Sequence, residues 1–349
     1  MTDTSHPLLP PTVPVLRLPG GADGPALQVG GVDSTDGVVV SPATGALERL
    51  LRGLDGRRTW RAVVADAVRD GHDPTAVDAV LRALVDTGLL VDLEAADLLA
   101  TDAGPAASAR AAAELPTATG GARWQARRRA TVVVDGATRV GVPLAAVLAA
   151  SGVGRVHVRD TGPVAAGDAV VGGLDAADEG RPRGLAAADA VRRASPLTDL
   201  RPPAGPADLV VLTRAWASTD PRVADLQRDG VAHLVATVRG ETGVVGPLVV
   251  PGRTGCLRCA ELLRRDADPR WPVLSAQLAT DARPAGATVT CLLTALTAAV
   301  QVLGYVDGGG APVTLGATLE LRPPQFTPRS RRWGAHPECR CRPPRPPGG

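Results

Sequence analysis

The sequence contains no Lys, no Asn and no Ile, and aromatic residues make up only 2% of its 349 residues. No step of its chemistry can therefore use a lysine ammonium group or an asparagine amide. Hydrophobic residues still reach 44%, so a core built mainly of Val, Leu and Ala can be buried. The length predicts about two domains.

An excess of one charge is also missing, because 38 basic residues stand against 36 acidic ones and the net charge is +2. This near balance argues against a general nucleic-acid-binding protein. Two short basic stretches, 127–129 and 329–332, are not interleaved with the aromatic side chains that stack on bases. We interpret the first stretch as solvated residues at the entrance to a strand, and we expect no nucleic-acid partner.

Signals for secretion or membrane insertion are weak as well. Residues 1–11 lack the basic and apolar regions of a signal peptide. The best candidate for a membrane span, 291–305, carries Thr and Gln and is shorter than the roughly 18 to 20 apolar residues that a span needs. We therefore expect a cytoplasmic protein that does not bind membranes. In a reducing compartment, its five cysteines indicate a metal site before they indicate disulfides.

Residues 12–94 read as a small winged-helix domain. Three short strand candidates come first, separated by glycine-rich turns, at 15–18, 26–29 and 38–40. Helix starts follow at Ser41-Pro42, near Thr59 and at Asp73-Pro74. The third helix has one apolar stripe, formed by Val77, Val80, Leu81, Leu84 and Val85.

The remainder of the chain divides by composition. Residues 95–125 are Ala-rich, and we interpret them as a linker; an inserted helix packed on the second domain is the alternative. From 126 to 342, buried strands alternate with helices, which predicts an α/β domain with a mostly parallel, doubly wound, Rossmann-type sheet. The tail, 343–349, is rich in Pro and Gly, and we expect it to be disordered.

Cysteine spacing gives the strongest chemical signal. Cys256 and Cys259 form a C-x-x-C pair, and Cys339 and Cys341 form a C-x-C pair. Two short knuckles with four thiolates suit a tetrahedral structural zinc. A redox C-x-x-C and four unrelated buried cysteines are the alternatives, and His336 could replace one ligand.

A second signal is the glycine turn Gly136-Ala-Thr-Arg-Val-Gly141, which follows a predicted strand and opens a helix. Such a turn lets the backbone approach a phosphate at a helix N-terminus. Asp160, at the end of the next strand, stands where an acid can bind a ribose. Thr138 replaces the middle glycine of G-x-G-x-x-G, so a structural turn that binds nothing, with Asp160 as a loop cap, is the alternative.

Together these segments resemble the ThiF/MoeB family, the bacterial relatives of ubiquitin-activating enzymes, which adenylate a C-terminal carboxylate with ATP and magnesium. The opening strand and nucleotide loop match at 131–141, and the following turn and strand match at 151–160. Gly180-Arg-Pro-Arg183 resembles the family's G-x-P-K segment, and 249–259 resembles its P-G…C-x-x-C knuckle. The resemblance covers most of residues 126–341 and implies a ThiF-like fold with a structural zinc.

The departures from the family pattern affect the expected function. The family's Asn and Arg after the ribose-binding acid are absent from 165–173, and the magnesium-binding Asp falls near Arg214 and Ala215, where there is no carboxylate. A reaction that develops charge on phosphate needs such cations and a metal. We therefore expect no catalytic residues, no use of ATP and only a vestigial nucleotide site, formed by Gly136, Gly141, Asp160 and Arg183.

Other segments are similar to the ThiF-like partner proteins of bacteriocin (TOMM) cyclodehydratases: Val245-Gly-Pro-Leu-Val, Asp268-Pro-Arg-Trp-Pro272 and His336-Pro-Glu-Cys-Arg-Cys341. In that family a winged-helix element captures the leader of a ribosomally made precursor peptide. The ThiF-like body, inactive toward ATP, presents this peptide to a YcaO-type cyclodehydratase that forms azolines and azoles. The resemblance implies that residues 12–94 bind a leader peptide as an added strand, and the wider superfamily implies a homodimer.

Other functions remain open. A winged-helix domain also serves as a dimerisation or DNA-binding module. A divergent adenylyltransferase would activate the C-terminus of a carrier protein or peptide, and a neighbouring gene for a small protein ending in Gly-Gly would favour it. A neighbouring gene for a YcaO-type enzyme would favour the scaffold. A nicotinamide oxidoreductase needs an intact dinucleotide loop and gains nothing from two knuckles.

Overall fold

The computed structural model describes residues 5–21, 24–32, 37–93, 114, 121–196, 198–214, 220–280 and 286–341. The chain divides into two units, residues 1–125 and 126–349. Most of the predicted linker, 95–125, and the whole of the predicted disordered tail, 343–349, lie outside the described residues.

The described part of the first unit contains five short strands. A three-stranded antiparallel sheet has β3 at its centre, and a separate two-stranded sheet pairs β1 with β5. The strands are β1 (His6–Leu8), β2 (Val15–Gly21), β3 (Gly24–Val29), β4 (Val38–Val40) and β5 (Val91–Leu93). The sequence predicted β2, β3 and β4 but did not predict the pairing of β1 with β5.

Three helices cover this sheet: α1 (Gly45–Arg52), α2 (Trp60–Arg69) and α3 (Pro74–Asp86). Each begins after a residue whose side chain accepts a hydrogen bond from a first-turn N–H, which stabilises the helix start; these residues are Thr44, Thr59 and Asp73. On α3 the predicted apolar stripe separates into buried Val77, Leu81 and Leu84 and half-buried Val80 and Val85. The unit thus has a hydrophobic core of its own.

The second unit is built on a seven-stranded sheet. Its strands are β6 (Thr131–Asp135), β7 (Arg155–Arg159), β8 (Leu209–Leu212), β9 (His233–Arg239), β10 (Thr242–Val249), β11 (Ala317–Leu321) and β12 (Arg329–Arg332). The order across the sheet is β12-β11-β10-β9-β8-β6-β7. The pairs β7–β6, β6–β8 and β8–β9 are parallel. The pairs β9–β10, β10–β11 and β11–β12 are antiparallel. The expectation of a mostly parallel sheet is therefore correct for one half only.

The helices that follow are α4 (Gly121–Arg129), α5 (Gly141–Ala150), α6 (Arg183–Ala194), α7 (Pro221–Arg228), α8 (Leu257–Ala267), α9 (Trp271–Thr280) and α10 (Thr288–Val306). Helices α5, α6 and α10 pack on one face of this sheet, and α7 and α8 pack on the other. Strand β6 shows why two layers are needed, because Val132 and Val134 belong to the core cluster of α5 and α10, while Val133 belongs to the cluster of α8. A strand buried on both faces reads as a continuous apolar run.

Helix α10 is longer than the sequence indicated. It has 19 residues with a mean hydropathy of 1.8, and among the described residues it alone is long and apolar enough to cross a membrane. The core helix of a globular protein passes the same test. Here α10 packs on β9, β10 and α5, and it buries a stripe that includes Cys291, Ala295, Ala298 and Val302.

Arg127 corrects another expectation, since it is not solvated. Its side chain is 1% exposed and pairs with Asp307, whose Oδ1 accepts from Nε at 2.9 Å. Nη1 also donates to the backbone oxygen of Ser151 at 3.1 Å. A buried guanidinium needs such partners, so Arg127 joins α4 to the residue that follows α10.

Candidate metal centre and nucleotide loop

Four cysteine side chains meet on the face of the sheet that carries α8. The Sγ atoms of Cys256, Cys259, Cys339 and Cys341 all lie within 4.8 Å of one another, and the shortest Sγ–Sγ distances run from 3.3 to 3.9 Å. None of the four is in a disulfide. Sulfur ligands at about 2.3 Å from one tetrahedral zinc stand about 3.8 Å apart. The geometry therefore fits a structural zinc.

Close backbone packing brings the two knuckles together. Cys256 is the N-cap of α8 and Cys259 lies in its first turn, while Cys339 and Cys341 follow β12. A Cβ added to Gly255 would lie 2.8 Å from the backbone oxygen of Gly334. Glycine is thus required where the segments leading into the two knuckles touch.

His336 supports the second knuckle and is not among the four clustered ligands. The N–H of Glu338 donates to its Nδ1 at 3.1 Å, so Nε2 carries the proton and donates to Asp266 Oδ2 at 2.7 Å. Its backbone oxygen accepts from the N–H of Cys339 at 3.0 Å. The histidine therefore positions the knuckle through its neighbours.

The thiols do not ionise alike. Hydrogen bonds from the Cys256 thiol and from the backbone N–H of His336 lower the pKa of Cys259, although burial works against this. Burial raises the pKa of the Cys341 thiol. Cys259 is the first of these two to become a thiolate, and a bound dication would supply the charge that deprotonates the rest.

The loop from 136 to 141 joins β6 to α5 in a tight turn. Gly136 has a φ of 119°, and a Cβ on Gly141 would lie 2.1 Å from the backbone oxygen of Gly136. The turn itself therefore requires both glycines. Thr138 Oγ1 accepts hydrogen bonds from the N–H groups of Val140 at 3.3 Å and Gly141 at 2.9 Å. These amides, which a nucleotide loop would direct at phosphate, are already bonded inside the turn.

Asp160 lies directly after β7 with both carboxylate oxygens in use. Oδ2 accepts from the N–H of Ala137 and Oδ1 from the N–H of Thr161, each at 2.6 Å. Arg214 closes on Oδ1 through Nη2. Burial raises the pKa of Asp160, but the hydrogen bonds from Arg214 and Ala137 outweigh it, so the pKa is lower than usual. A ribose hydroxyl would have to displace the Arg214 guanidinium.

Arg183 is likewise held by neighbours. It lies at the start of α6, donates to the backbone oxygens of Pro163 at 2.8 Å and Ala137 at 3.3 Å, and pairs with Asp168. Asp168 also accepts from the N–H of Ala165 at 2.8 Å. Residues 165–173 lack the Asn and Arg that the family resemblance implies, and Asp168 is the only charged residue of the stretch. Its role was not predicted from the sequence.

The predicted nucleotide-site residues thus converge around Ala137, with Asp160 on its N–H and Arg183 on its carbonyl oxygen. A cavity of about 420 Å³ adjoins them between β7 and α6, with Asp160, Arg183 and Leu200 in its lining. The sequence did not predict that Arg214 covers Asp160. A signal for it was present, because an arginine stands where the family resemblance implies an acid.

No protein-family model matches this sequence, and no curated protein matches it in sequence. Several solved structures match it in fold. E. coli MccB with AMPCPP and MccA is 16% identical with a TM-score of 0.62, over 96% of this chain and 99% of that one. MccB with ATP is 16% identical with a TM-score of 0.59 over the same shares, and PaaA is 14% identical with a TM-score of 0.56, over 93% and 99%.

A further MccB structure describes that protein as a microcin C7 biosynthetic enzyme in complex with N-formylated MccA. Because all these identities are below 25%, the likeness establishes the fold. Over nearly its whole length, this chain is folded like E. coli MccB and PaaA.

Proposed function

We propose that this chain is a ThiF-like scaffold without adenylation activity, which binds the leader of a ribosomally made precursor peptide and presents it to a YcaO-type cyclodehydratase for azoline or azole formation. The contact between Arg214 and Asp160 carries this proposal. A cation stands near the position where the resemblance implies a magnesium-binding acid, and it neutralises the acid that would hold a ribose.

The pairing of other carboxylates near the loop from 136 to 141 also supports the proposal that the chain does not catalyse adenylation. Asp135, at the end of β6, pairs with Arg159 and Arg222. Asp220 accepts from the N–H of Arg222 at 3.0 Å and from its guanidinium. Magnesium on ATP phosphates needs carboxylate oxygens, and these acids bind arginines instead. Ala215 lies outside the described residues.

Peptide binding is supported by the first unit. Strand β4 lies at the edge of its sheet, α3 packs beside it, and Val39 is 59% exposed. An extended leader can add to such an edge through main-chain hydrogen bonds, while alternate side chains enter the groove beside the helix. Val80 and Val85, half-buried on α3, line that groove in our proposal. The MccB structures that contain MccA are compatible with this role.

The proposal also includes a bound zinc ion, a cytoplasmic location and a homodimeric state. The four clustered thiols hold one structural zinc, and five cysteines free of disulfides suit the cytoplasm. The chain forms a homodimer, supported by an exposed apolar stripe on α10 whose members recur at helical spacing: Val289, Leu296 and Val300, exposed by 57%, 50% and 64%.

The decisive experiment uses the full chain and a precursor encoded beside its gene. We expect binding of a labelled leader, unchanged when the precursor's core region is deleted, and no ATP–pyrophosphate exchange. We also expect Val80→Asp to weaken leader binding and Arg82→Gln, an exposed change on the same helix, to leave it unaltered. Exchange that is lost in Asp160→Asn would refute the scaffold and support an enzyme.

That enzyme, an adenylyltransferase acting on a carrier protein or peptide C-terminus, is the second candidate. The cavity beside Asp160 and Arg183 favours it, because a space of this size can admit a small ligand. Adenylation of a carrier ending in Gly-Gly by the unmodified chain, together with failure to bind any leader, would establish it.

A further inference from the structure

Guanidinium groups and indole rings alternate near the zinc centre. Arg264 of α8 lies over Trp333, with its Cζ 4.2 Å from the ring centroid, and over Trp271 at 5.3 Å. Arg331 of β12 stacks on Trp333 at 4.3 Å, and Arg239 of β9 lies over Trp271 at 5.8 Å. Five side chains from α8, α9, β9, β12 and the segment after β12 thus form one arginine–tryptophan stack.

Positive charge in this stack exceeds negative charge. The Glu261 carboxylate accepts hydrogen bonds from Arg264 Nη1 at 2.9 Å and from Trp271 Nε1 at 2.6 Å. For Arg239 and Arg331, no ion pair exists with any described residue. Burial, followed by the charge of Arg239, lowers the pKa of Arg264 to about 10, and burial also lowers the pKa of Arg239. Like charges held together out of water favour an added anion.

Strand β12 brings more arginines to the same place. It is the edge strand of the sheet, and its sequence is Arg329-Ser-Arg-Arg332 with all four residues exposed. Alternation along the strand sets Arg329 and Arg331 on one face, together with Trp333. None of the three β12 arginines has an ion pair within the described part of the chain. Glu320, directly opposite Arg329 in the register, bonds Arg322.

The outer edge of β12 faces no other described strand of the sheet. Trp333, directly after β12, donates its backbone N–H to the backbone oxygen of Gly316, directly before β11, at 2.8 Å. Backbone groups alternate between the two sides of an antiparallel strand, so those of Arg329 and Arg331 point toward β11 and those of Ser330 and Arg332 point outward. Among the described strands, none pairs with β12 on the side away from β11. The edge can therefore accept one more strand.

We propose that the outer edge of β12, together with the arginine–tryptophan stack, docks an extended acidic peptide segment as an added strand. Indole rings lie over the flat faces of the Arg264 guanidinium and over one flat face of the Arg331 guanidinium. The N–H groups at the edges of these guanidinium planes that have no partner remain available to carboxylates. Main-chain pairing at Ser330 and Arg332 would fix the register, and acidic side chains at every second position would meet Arg329 and Arg331.

This inference extends the proposed peptide-binding role but rests on other residues, in the second unit. A charged edge strand also serves simply to prevent sheet-to-sheet aggregation. In that case no peptide would bind, or binding would follow net charge alone. The two explanations differ in whether peptide binding depends on the spacing of the peptide's acidic residues and on the Ser330 N–H.

The test measures fluorescence anisotropy of labelled octapeptides with the full zinc-bound chain. The probes are an alternating Thr-Glu octapeptide, an octapeptide of the same composition with its Glu residues in one block, and an alternating Thr-Gln octapeptide. We expect the alternating acidic peptide to bind at least about tenfold more tightly than either control. Its affinity should fall as the salt concentration rises from about 50 to about 500 mM.

Variants separate charge from strand pairing. Arg329→Gln with Arg331→Gln should weaken binding by about tenfold or more, whereas Arg192→Gln with Arg228→Gln removes the same charge from exposed helix positions and should have little effect. Ser330→Pro removes only an outward N–H, which an edge strand tolerates, and should weaken binding comparably. Zinc content and circular dichroism check that each variant is folded.

Three results would overturn the inference: equal binding of the two acidic peptides, an equal loss in the Arg192/Arg228 control, or full binding by Ser330→Pro. Leader binding by the first unit is measured separately, through Val80→Asp. Loss of leader binding with retention of the Thr-Glu peptide, or the reverse, distinguishes a failure of one proposal from a failure of the other.

Discussion

Arg214 pairs with Asp160 beside the loop from 136 to 141 and so limits what else this carboxylate can bind. The sequence shows an arginine near the position where the family resemblance implies an acid, but it does not show which side chain that arginine contacts. The structure adds the contact with Asp160. The glycines of the loop were predictable, but the reason for them was not, because Gly141 is required by its approach to Gly136 whether or not a nucleotide binds.

Removing this arginine tests the pairing. We expect Arg214→Ala to lower the free energy of unfolding at pH 7 by about 1–2 kcal/mol, because Asp160 stays buried and charged without its partner. The pKa of Asp160 is lower than usual in the folded chain, so the pairing stabilises the protein above about pH 4 and is lost as pH falls through the folded pKa. Urea unfolding of both proteins at pH 7 and near pH 3 should show the difference shrinking in acid.

The same variant also tests the nucleotide site. Freed of Arg214, Asp160 becomes available to a ribose, so we expect Arg214→Ala to bind a fluorescent ATP analogue more tightly than the unmodified chain does. Arg222→Ala, which removes an arginine of α7 that pairs with Asp135 at the end of β6, serves as the matched control. Equal ATP affinity in all three proteins would mean that Arg214 does not block the site.

At the scale of elements, the two cysteine knuckles were the most predictable feature. A C-x-x-C and a C-x-C give the ligand set without knowledge of the fold, because thiolates of one knuckle stand close whatever surrounds them. The sequence could not predict the support around them. The hydrogen bond from His336 to Asp266 and the contact of Gly255 with Gly334 depend on segments about 70 to 80 residues apart.

We expect one zinc per chain, lost in Cys256→Ser and in Cys339→Ser. Because metal-binding energy becomes folding energy, the segment from 333 to 341 should then detach from the sheet while the remaining strands stay folded. Metal analysis and limited proteolysis check this. Cys291→Ala is the matched control, since Cys291 is buried on α10 away from the cluster, and it should keep its zinc.

At the scale of the whole molecule, the parallel half of the second sheet was predictable from buried apolar runs alternating with helices. Strands β10, β11 and β12 were not. Gly246 and Pro247 interrupt the apolar run of β10, and Arg329 to Arg332 of β12 lack the alternation of apolar and polar residues that predicts a strand. Pairing between distant antiparallel strands depends on partners that no local pattern reveals.

The surface of α10 permits a test of assembly. Leu296→Glu with Val300→Glu puts charge on its exposed apolar stripe, and we expect the homodimer to become monomeric without loss of zinc. Light scattering after size exclusion measures the mass. Val171→Glu, which alters a residue that is 74% exposed elsewhere on the same unit, should leave the dimer intact; a monomeric unmodified chain would contradict the proposed dimer.

The four cysteines of the cluster are synthesised at different times during translation. The ribosome makes Cys256 and Cys259 early, and Cys339 follows Cys256 by 83 residues, after every strand of the large sheet has been made. A chain interrupted in that interval has two of the four thiols and cannot complete a tetrahedral site. With one zinc on the four thiols, as proposed above, the molar ratio of zinc to protein would measure the fraction of molecules whose translation passed Cys341.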